Sequence, residues 1–431
     1  LNSKRNEETV SLDEGDVLNS STETGKNLPE GWEIKKLKEV CQIKPPKKES
    51  KELLTENENV SFVPMDLLGI DRKYISLNKD KQLSDVSSSY TYFRDGDVLL
   101  AKITPCFENG KLGIAKGLTN TIGFGSSEFI VYRPDDNLNA EFLYYFLNQE
   151  IFREKGKSLM TGAVGHKRIP KDFYEEYNIP IPPLSEQKRI VAILDKAFAA
   201  IDQARANIEK NIENARELFQ SKLNEIFSQK GEGWEEKKLG EVCEFVRGPF
   251  GGSLKKNCFV EEGFAVYEQQ HAINNQFESI RYYIDKTKFG EMQRFELKYG
   301  DLIMSCSGTM GKVAIVPEGI QSGIINQALL KLTPNKIINK EYLKRWMEST
   351  HFFYEIAKNS KGAAIKNVAS VKILKEIKVP LPSNEIQKGI IDTIDSLESR
   401  INGLVEIYNI KRIAVEELKK SILQKAFRGE L

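Results

Sequence analysis

Two segments of the chain concentrate positive charge among small polar residues. From Arg153 to Lys171 there are six Lys or Arg (Arg153, Lys155, Lys157, Lys167, Arg168, Lys171) against one acid, Glu154. From Phe353 to Lys375 there are five (Lys358, Lys361, Lys366, Lys372, Lys375) against Glu355. Cations interleaved with Gly, Ser, Thr and Asn suit the phosphate oxygens of a polyanion, and such contacts position a protein on nucleic acid without reading its sequence. One run alone reads equally well as a solvated basic face. Its recurrence at the same place in a repeat favours nucleic-acid binding.

Reading bases takes polar side chains on loops. In the first half the candidates are Lys102, Thr104, Ser126, Ser127, His166 and Arg168, with Lys111, Lys157 and Lys167 as further cations. In the second half they are Ser253, Lys255, Gln269, Gln270, His271, Ser305 and Ser307, with Lys312, Lys361 and Lys366 as cations. Gln can bond adenine through two hydrogen bonds, and Lys or Arg can pair guanine. GPFGGSLKK (248–256) reads as a Gly-rich turn able to bring backbone close to a ligand, or as a plain hairpin.

Catalytic patterns are missing. A phosphate-binding GxxxxGK[ST] fails because Cys306 stands where its first Gly belongs and Val313 where its Ser or Thr belongs. His166, His271 and His351 are far apart, no GxSxG elbow occurs, and GFGS (123–126) reads as a turn. Without an Asn-Pro or Asp-Pro dipeptide there is no amino-methyltransferase motif. The chain is expected to be catalytically inert, with no metal or cofactor of its own.

The elements that must position these loops come in two copies. GWEIKKLKEVC (31–41) returns nearly unchanged as GWEEKKLGEVC (233–243), and RDGDVLLAKI (94–103) matches KYGDLIMSCS (298–307). Gly110-Lys111 and Gly311-Lys312 precede the strands LGIA and VAIV. NAEFLYYFLNQEIF (139–152) and NKEYLKRWMESTHFF (339–353) are apolar at helical spacing, each with Asn at its start. IPIPPLSEQKRIVAIL (179–194) and VPLPSNEIQKGIIDTI (379–394) then feed two long helices. The offset between copies drifts from 202 at the start to 204 at Asp97/Asp301 and settles at 200 from Gly162/Gly362 to Phe227/Phe427. Fixed-length helices thus join two domains with variable loops, an internal duplication.

In the first helix Ile190, Leu194, Ala197, Ile201, Ala204 and Ile208 alternate steps of four and three, continued after a stutter by Ile212, Ala215, Phe219, Leu223 and Ile226. The second offers Ile390, Ile394, Leu397, Ile401, Leu404, Tyr408, Val415, Leu418 and Ile422. A 3.5-residue period predicts a coiled-coil seam, and a helix from Ser185 to Lys230 would reach roughly 70 Å. Gly389 and Gly403 weaken the second helix. Because the end of each repeat must return to start the next, an intrachain antiparallel pair with a pseudo-twofold axis is expected; a parallel coiled-coil homodimer is the competing arrangement. The expected fold class is mixed α/β: a mobile tail (1–28), a first α/β domain (29–183), the first long helix (184–230), a second α/β domain (231–382) and the second long helix (383–431).

Composition sets outer bounds. The 431 residues, 40% hydrophobic and 29% charged, suffice for more than one core. Lys+Arg 63 against Asp+Glu 62 gives a net charge of +1, so any polyanion-binding surface arises from local segregation. No apolar run approaches the roughly 18–20 residues needed to cross a bilayer, so no membrane partner is expected. The five cysteines are scattered without CxxC, which suits free or buried thiols in a reducing cytoplasm. The sequence begins with Leu rather than Met, so the natural start is expected to lie elsewhere.

GWEIKKLKEV, the GD strand with its Gly-Lys, GPFGGSLK and IPIPPLSEQKRI together resemble the specificity (S) subunits of type I restriction-modification enzymes, the HsdS family. The resemblance runs from about residue 29 to 431. It implies two target recognition domains, each reading one half of a split, asymmetric site in double-stranded DNA. It also implies that the long helices set the unread spacer and dock two methyltransferase (M) subunits, joined by motor-nuclease (R) subunits. S-adenosylmethionine, ATP and magnesium would then sit on those partners, with methyl transfer to adenine N6. Ser383, Asn384 and Ile386 replace Pro183, Leu184 and Glu186, which weakens the inference for the second M contact. Two other readings stay open: the DNA-reading subunit of a related system without a separate motor, and a coiled-coil scaffold with no DNA role.

Overall fold

A computed structural model describes residues 28–229, 231–250, 252–358 and 370–431. The expected tail, apart from Leu28, and the candidates Lys361 and Lys366 lie outside the described residues. The chain forms two compact units, one running to Asn207 and including Lys411–Leu431, the other comprising Ile208–Ile410. Each unit takes part of both long helices.

In the first unit, the repeat opens on β1 (Glu33–Lys36), which pairs with β10 (Asn178–Ile181). Between them lie two four-stranded sheets. One has the order β2 (Cys41–Ile43), β9 (Phe129–Pro134), β6 (Val98–Ala101), β7 (Leu112–Ile114), all antiparallel. The other has the order β4 (Asp80–Gln82), β3 (Asn59–Val63), β8 (Ile122–Gly125), β5 (Thr91–Arg94). Its central pair, β3 and β8, is parallel, with Ser61 opposite Gly123 and Val63 opposite Gly125. All four residues of β6 are buried, the continuous apolar run of a strand covered on both faces.

The GD turn before β6 has a physical reason. Gly96 takes φ +89°, a conformation that Cβ disfavours, and the Asp97 carboxylate accepts the Arg94 N–H at 2.9 Å. Arg133 on β9 grips both Asp97 oxygens, at 2.8 and 2.9 Å, tying the turn to the sheet. The second unit keeps the turn, with Gly300 at φ +84° and Asp301 accepting Lys298 N–H at 2.9 Å, but Thr333 supplies the cross-sheet bond at 2.6 Å.

Helices α1 (Ala140–Leu147) and α2 (Glu150–Ser158) follow β9. Asn139 caps α1 as expected, accepting from Glu141 and Phe142 N–H. Every residue from Phe142 to Leu147 is buried, because α1 is enclosed between the sheet and the long helices. Ile190, Leu194 and Phe198 of the first long helix (Leu184–Ser228) join that core with Leu423 and Phe427 of the second (Asn384–Arg428). The Phe142 and Phe427 rings lie 4.9 Å apart.

The second unit repeats this plan. β11 (Glu235–Lys238) pairs with β20 (Lys378–Leu381), and one sheet has the order β12 (Cys243–Arg247), β19 (Leu329–Pro334), β16 (Leu302–Ser305), β17 (Val313–Ile315). The other has the order β13 (Phe259–Val260), β15 (Tyr283–Ile284), β14 (Phe264–Tyr267), β18 (Gly323–Ile325), again with a parallel pair, β14 with β18, which here lies at one edge of the sheet. Its helices are α3 (Gln269–Asn274), α4 (Lys340–Met347), capped by Asn339, and α5 (Thr350–Lys358). The two units thus share the first sheet and the parallel pair, and differ in the strands flanking that pair.

Both long helices have 45 residues, about 68 Å each. They pair antiparallel, as expected. In the first unit Arg189 donates to the Leu431 carbonyl and Arg205 meets Glu416, so numbers rise on one helix as they fall on the other. In the second, Leu223 and Phe227 share a core with Ile391 and Ile394. Of the expected seam residues, Ile190, Leu194, Ile201, Ile208, Ile394 and Ile401 are buried, while Ile390 and Leu397 are half-buried. Leu404 and Leu418 are corrections: they are exposed, and the inward positions belong to the next residues, Val405 and Lys419. Lys419 holds its ammonium over the Phe198 ring, 5.2 Å from the centroid, and pairs it with Asp71 at 3.2 Å, so an aliphatic-only pattern misses it.

Candidate nucleic-acid interface

In each unit the chain crosses from one sheet to the other at the C-terminal ends of the parallel strands, where α/β proteins commonly bind ligands. In the first unit the crossing is Ser126–Glu128. Lys102 N–H donates to the Glu128 carbonyl and Ile169 N–H to the Lys102 carbonyl, so the segment Thr161–Ile169 lies along the end of β6. That segment is itself a small hairpin, with Thr161 and Arg168 exchanging backbone bonds at 3.0 and 2.8 Å. Gly162 (φ +125°) and Gly165 (φ +81°) make its turn.

This arrangement gathers Lys102, Thr104, Ser126, Ser127, His166, Lys167 and Arg168 at one end of the unit. Arg168 grips Glu128 with two bonds of 2.9 and 2.8 Å and also donates to the His166 carbonyl. These bonds, chiefly from Arg168, hold the Glu128 carboxyl below the usual carboxylate range. Lys102 donates to the Ser127 carbonyl at 2.8 Å and lies 3.8 Å from Glu128; burial pushes its ammonium down, with Glu128 opposing. His166, Lys167 and Ser127 are exposed. Thr104 turns its hydroxyl to the Met160 sulfur, and Ser126 accepts Glu128 N–H.

Not every candidate joins this surface. Lys111 spends its ammonium on the Met65 carbonyl at 2.7 Å. Lys157 sits apart on α2, 3.9 Å from Glu154. The basic segment is also more mixed than its own sequence indicates: Glu128 pairs with Arg168 and Glu175 with Lys171, acids that lie outside it in sequence. Arg153 bonds Asn148.

In the second unit the same crossing carries Asn326 and Gln327 where the first has Ser126 and Ser127. Cys306 N–H donates to the Ala328 carbonyl as Lys102 does to Glu128, so Cys306 and Ala328 stand in for Lys102 and Glu128. Asn326 and Gln327 line a cavity of about 130 Å³ with Pro249, Leu254, Phe259, Val266, Glu268 and Tyr282. Gly248 lets the chain pass here, since a Cβ would meet the Asn326 carbonyl oxygen at 1.8 Å. Phe250 beyond it is 89% exposed. Ser253, Lys255 and Lys312 are exposed, and Gln270 and Ser307 half-buried.

Two candidates here are corrections. His271 is fully buried, bonding Glu268 and the Ser279 carbonyl through its ring, because it closes the first turn of α3. Ser305 is buried at the end of β16, donating to the Thr309 carbonyl and accepting Lys312 N–H, so it clamps a turn. Gln269 keeps its side-chain oxygen buried without a partner. Residues missed from sequence are Glu128, Glu268, Arg281, Asn326 and Gln327. The last two were detectable, being the repeat partners of Ser126 and Ser127 at offset 200.

Among the described residues no group of His, Cys, Asp and Glu could hold a metal ion, all five cysteines are free, and no helix is long and apolar enough to cross a membrane.

A duplicated α/β unit on paired 45-residue helices, with unlike polar residues at equivalent crossings, defines a class of two-module protein. Residues 29–214 and again 231–412 match the type I restriction modification DNA specificity domain, and the chain belongs to that family. It is 37% identical over 197 residues to the type I restriction enzyme EcoEI specificity subunit of Escherichia coli, covering 46% of this chain. The EcoAI specificity subunit, also of Escherichia coli, is 35% identical over 200 residues. These matches span about a third of those relatives' length, 32% and 33%. The putative MjaX specificity subunit of Methanocaldococcus jannaschii is 24% identical over 435 residues, covering 95% of this chain and 96% of that one. In fold, the chain matches a chain solved in work on the structural basis of complex assembly and conformational transition of the type I R-M system. That match has a TM-score of 0.75 at 22% identity, over 94% of this chain and 100% of that one. The HsdS subunit from Thermoanaerobacter tengcongensis gives 0.64 at 21% identity, over 95% and 100%.

Proposed function

We propose that this chain is the non-catalytic DNA sequence-recognition subunit of a type I restriction-modification complex, each unit reading one half of a bipartite site. The observation that carries this is one frame used twice with different side chains at the same place: Lys102 against Cys306, Glu128 against Ala328, Ser126–Ser127 against Asn326–Gln327. A shared frame suits a shared task. Unlike side chains suit an asymmetric sequence, because base identity is read by donor and acceptor pattern. The exposed Lys167 and its neighbours contribute phosphate contacts.

Double-stranded DNA is then the substrate surface, and two copies of one methyltransferase (M) subunit dock on the repeated helices, one per repeat. Motor-nuclease (R) subunits join through that assembly. S-adenosylmethionine, ATP and magnesium belong to those partners, and the complex works in the cytoplasm.

Co-expression with its methyltransferase subunit, followed by sequencing of methylated adenines, tests this. The expected result is one motif with two unlike halves and a fixed unread gap. A complex that methylates no defined sequence, or a single uninterrupted one, overturns it.

A further inference from the structure

Each unit places an exposed arginine, held by a carboxylate, at the C-terminal end of its parallel strand pair. In the second unit Glu268 directly follows β14, and Arg281 lies on the neighbouring segment entering β15, whose register is fixed by the Val266 N–H bond to the Tyr282 carbonyl at 2.9 Å. Glu268 accepts from Arg281 Nε at 3.1 Å and Nη2 at 2.8 Å. The side chain of Glu268 is 12% exposed and that of Arg281 62%. The guanidinium also lies over the Tyr282 ring, 4.8 Å from its centroid, and Tyr282 stacks on Phe259 at 4.6 Å.

The fork is therefore held along one edge and one face. Among the described residues no bond takes Nη1, so Nη1 and the second hydrogen of Nη2 form a free edge of two parallel donors. That is the pattern guanine accepts through O6 and N7 in the major groove. An ion pair this exposed adds little to stability, so stability alone does not explain it. Its physical effect is to fix in advance a long side chain that would otherwise lose freedom on binding. Asn326 and Gln327 line one cavity with Glu268 and Tyr282, the two residues that hold Arg281, and offer amides to a neighbouring base. The first unit also holds an arginine on a carboxylate, at non-equivalent positions, Arg168 on Glu128 with the arginine 46% exposed, but there Nη1 is taken by the His166 carbonyl.

We propose that Arg281, pre-set by Glu268 and Tyr282, reads a guanine in the half-site recognised by the second unit. This rests on the DNA-reading function proposed above. The full chain assembled with its methyltransferase subunit provides the test, with wild-type methylation mapped first; a wild type that selects no sequence overturns both proposals together. Given a bipartite wild-type motif, Arg281→Ala relaxes one G·C pair in one half by about tenfold or more, leaving the other half and the gap unchanged. Arg281→Lys fails to restore it, because a point charge replaces a fork. In binding assays, 7-deazaguanine at that position weakens the wild-type complex by about tenfold and leaves the Arg281→Ala complex unaffected. The proposal is overturned, with DNA reading intact, if Arg281→Ala keeps the full motif and only lowers the salt slope by about one, the signature of a phosphate contact. It is equally overturned if no guanine of the wild-type site is sensitive to loss of N7.

Discussion

Gln187 and Gln387 show why the Pro-rich segment before each long helix recurs. Both are fully buried polar side chains. Gln187 accepts Asn139 N–H at 2.8 Å and donates to the carbonyls of Asn137 and Pro182. Gln387 makes the same three bonds with Asn339, Ile337 and Pro382. Each amide thus locks the start of a long helix to the start of the helix above it. Gln187→Ala leaves three backbone groups without partners and is expected to cost about 3 kcal/mol, read as a lower denaturation midpoint of the full chain. A loss under about 1 kcal/mol would mean that water replaces the amide. The repetition of Gln in SEQK and EIQK was visible in the sequence, but the two partners some 50 residues upstream of each were not. The same limit explains the misplaced candidates: His271 and Ser305 are polar and near turns, yet only the fold reveals that their bonds are spent inward.

At the scale of elements, the long helices were the most legible part, because length, period and absence of breakers are local properties. Their equal span and antiparallel pairing follow the expectation. Beyond Ile401 the seam follows it at Tyr408, Val415 and Ile422 but not at Leu404 and Leu418, whose inward positions go to Val405 and Lys419. The strands flanking the parallel pairs were illegible for a different reason: β13 and β15 have two residues each, too short to show alternation. The two glycines of the second helix carry a prediction. An added Cβ at Gly389 or Gly403 meets nothing within 4 Å, so neither glycine is required by packing. Gly389→Ala with Gly403→Ala should raise stability by about 1–2 kcal/mol through helix propensity, measured by thermal unfolding. An unchanged or lower melting temperature would show that the helix uses those positions to bend.

For the whole molecule, duplication was readable from repeated motifs, whereas the address was not, because it lies in pairs such as Glu268–Arg281 that join residues through folding. What the duplication leaves to the helices is length. The register set by Arg189 with Leu431 and Arg205 with Glu416, carried on, brings Lys210 opposite Ile410. Four residues inserted after each of these two positions lengthen both helices by about 6 Å at facing points, a stutter that a coiled coil absorbs by local unwinding. If helix length sets the unread gap, the methylated site of the assembled complex should keep both half-sequences while the gap grows by about one to two base pairs, given a rise of 3.4 Å per pair. Mapping methylated adenines checks this directly. An unchanged gap would mean that the methyltransferase partners, and not these helices, fix the spacing. Altered half-sequences would mean that the helices also aim the readers.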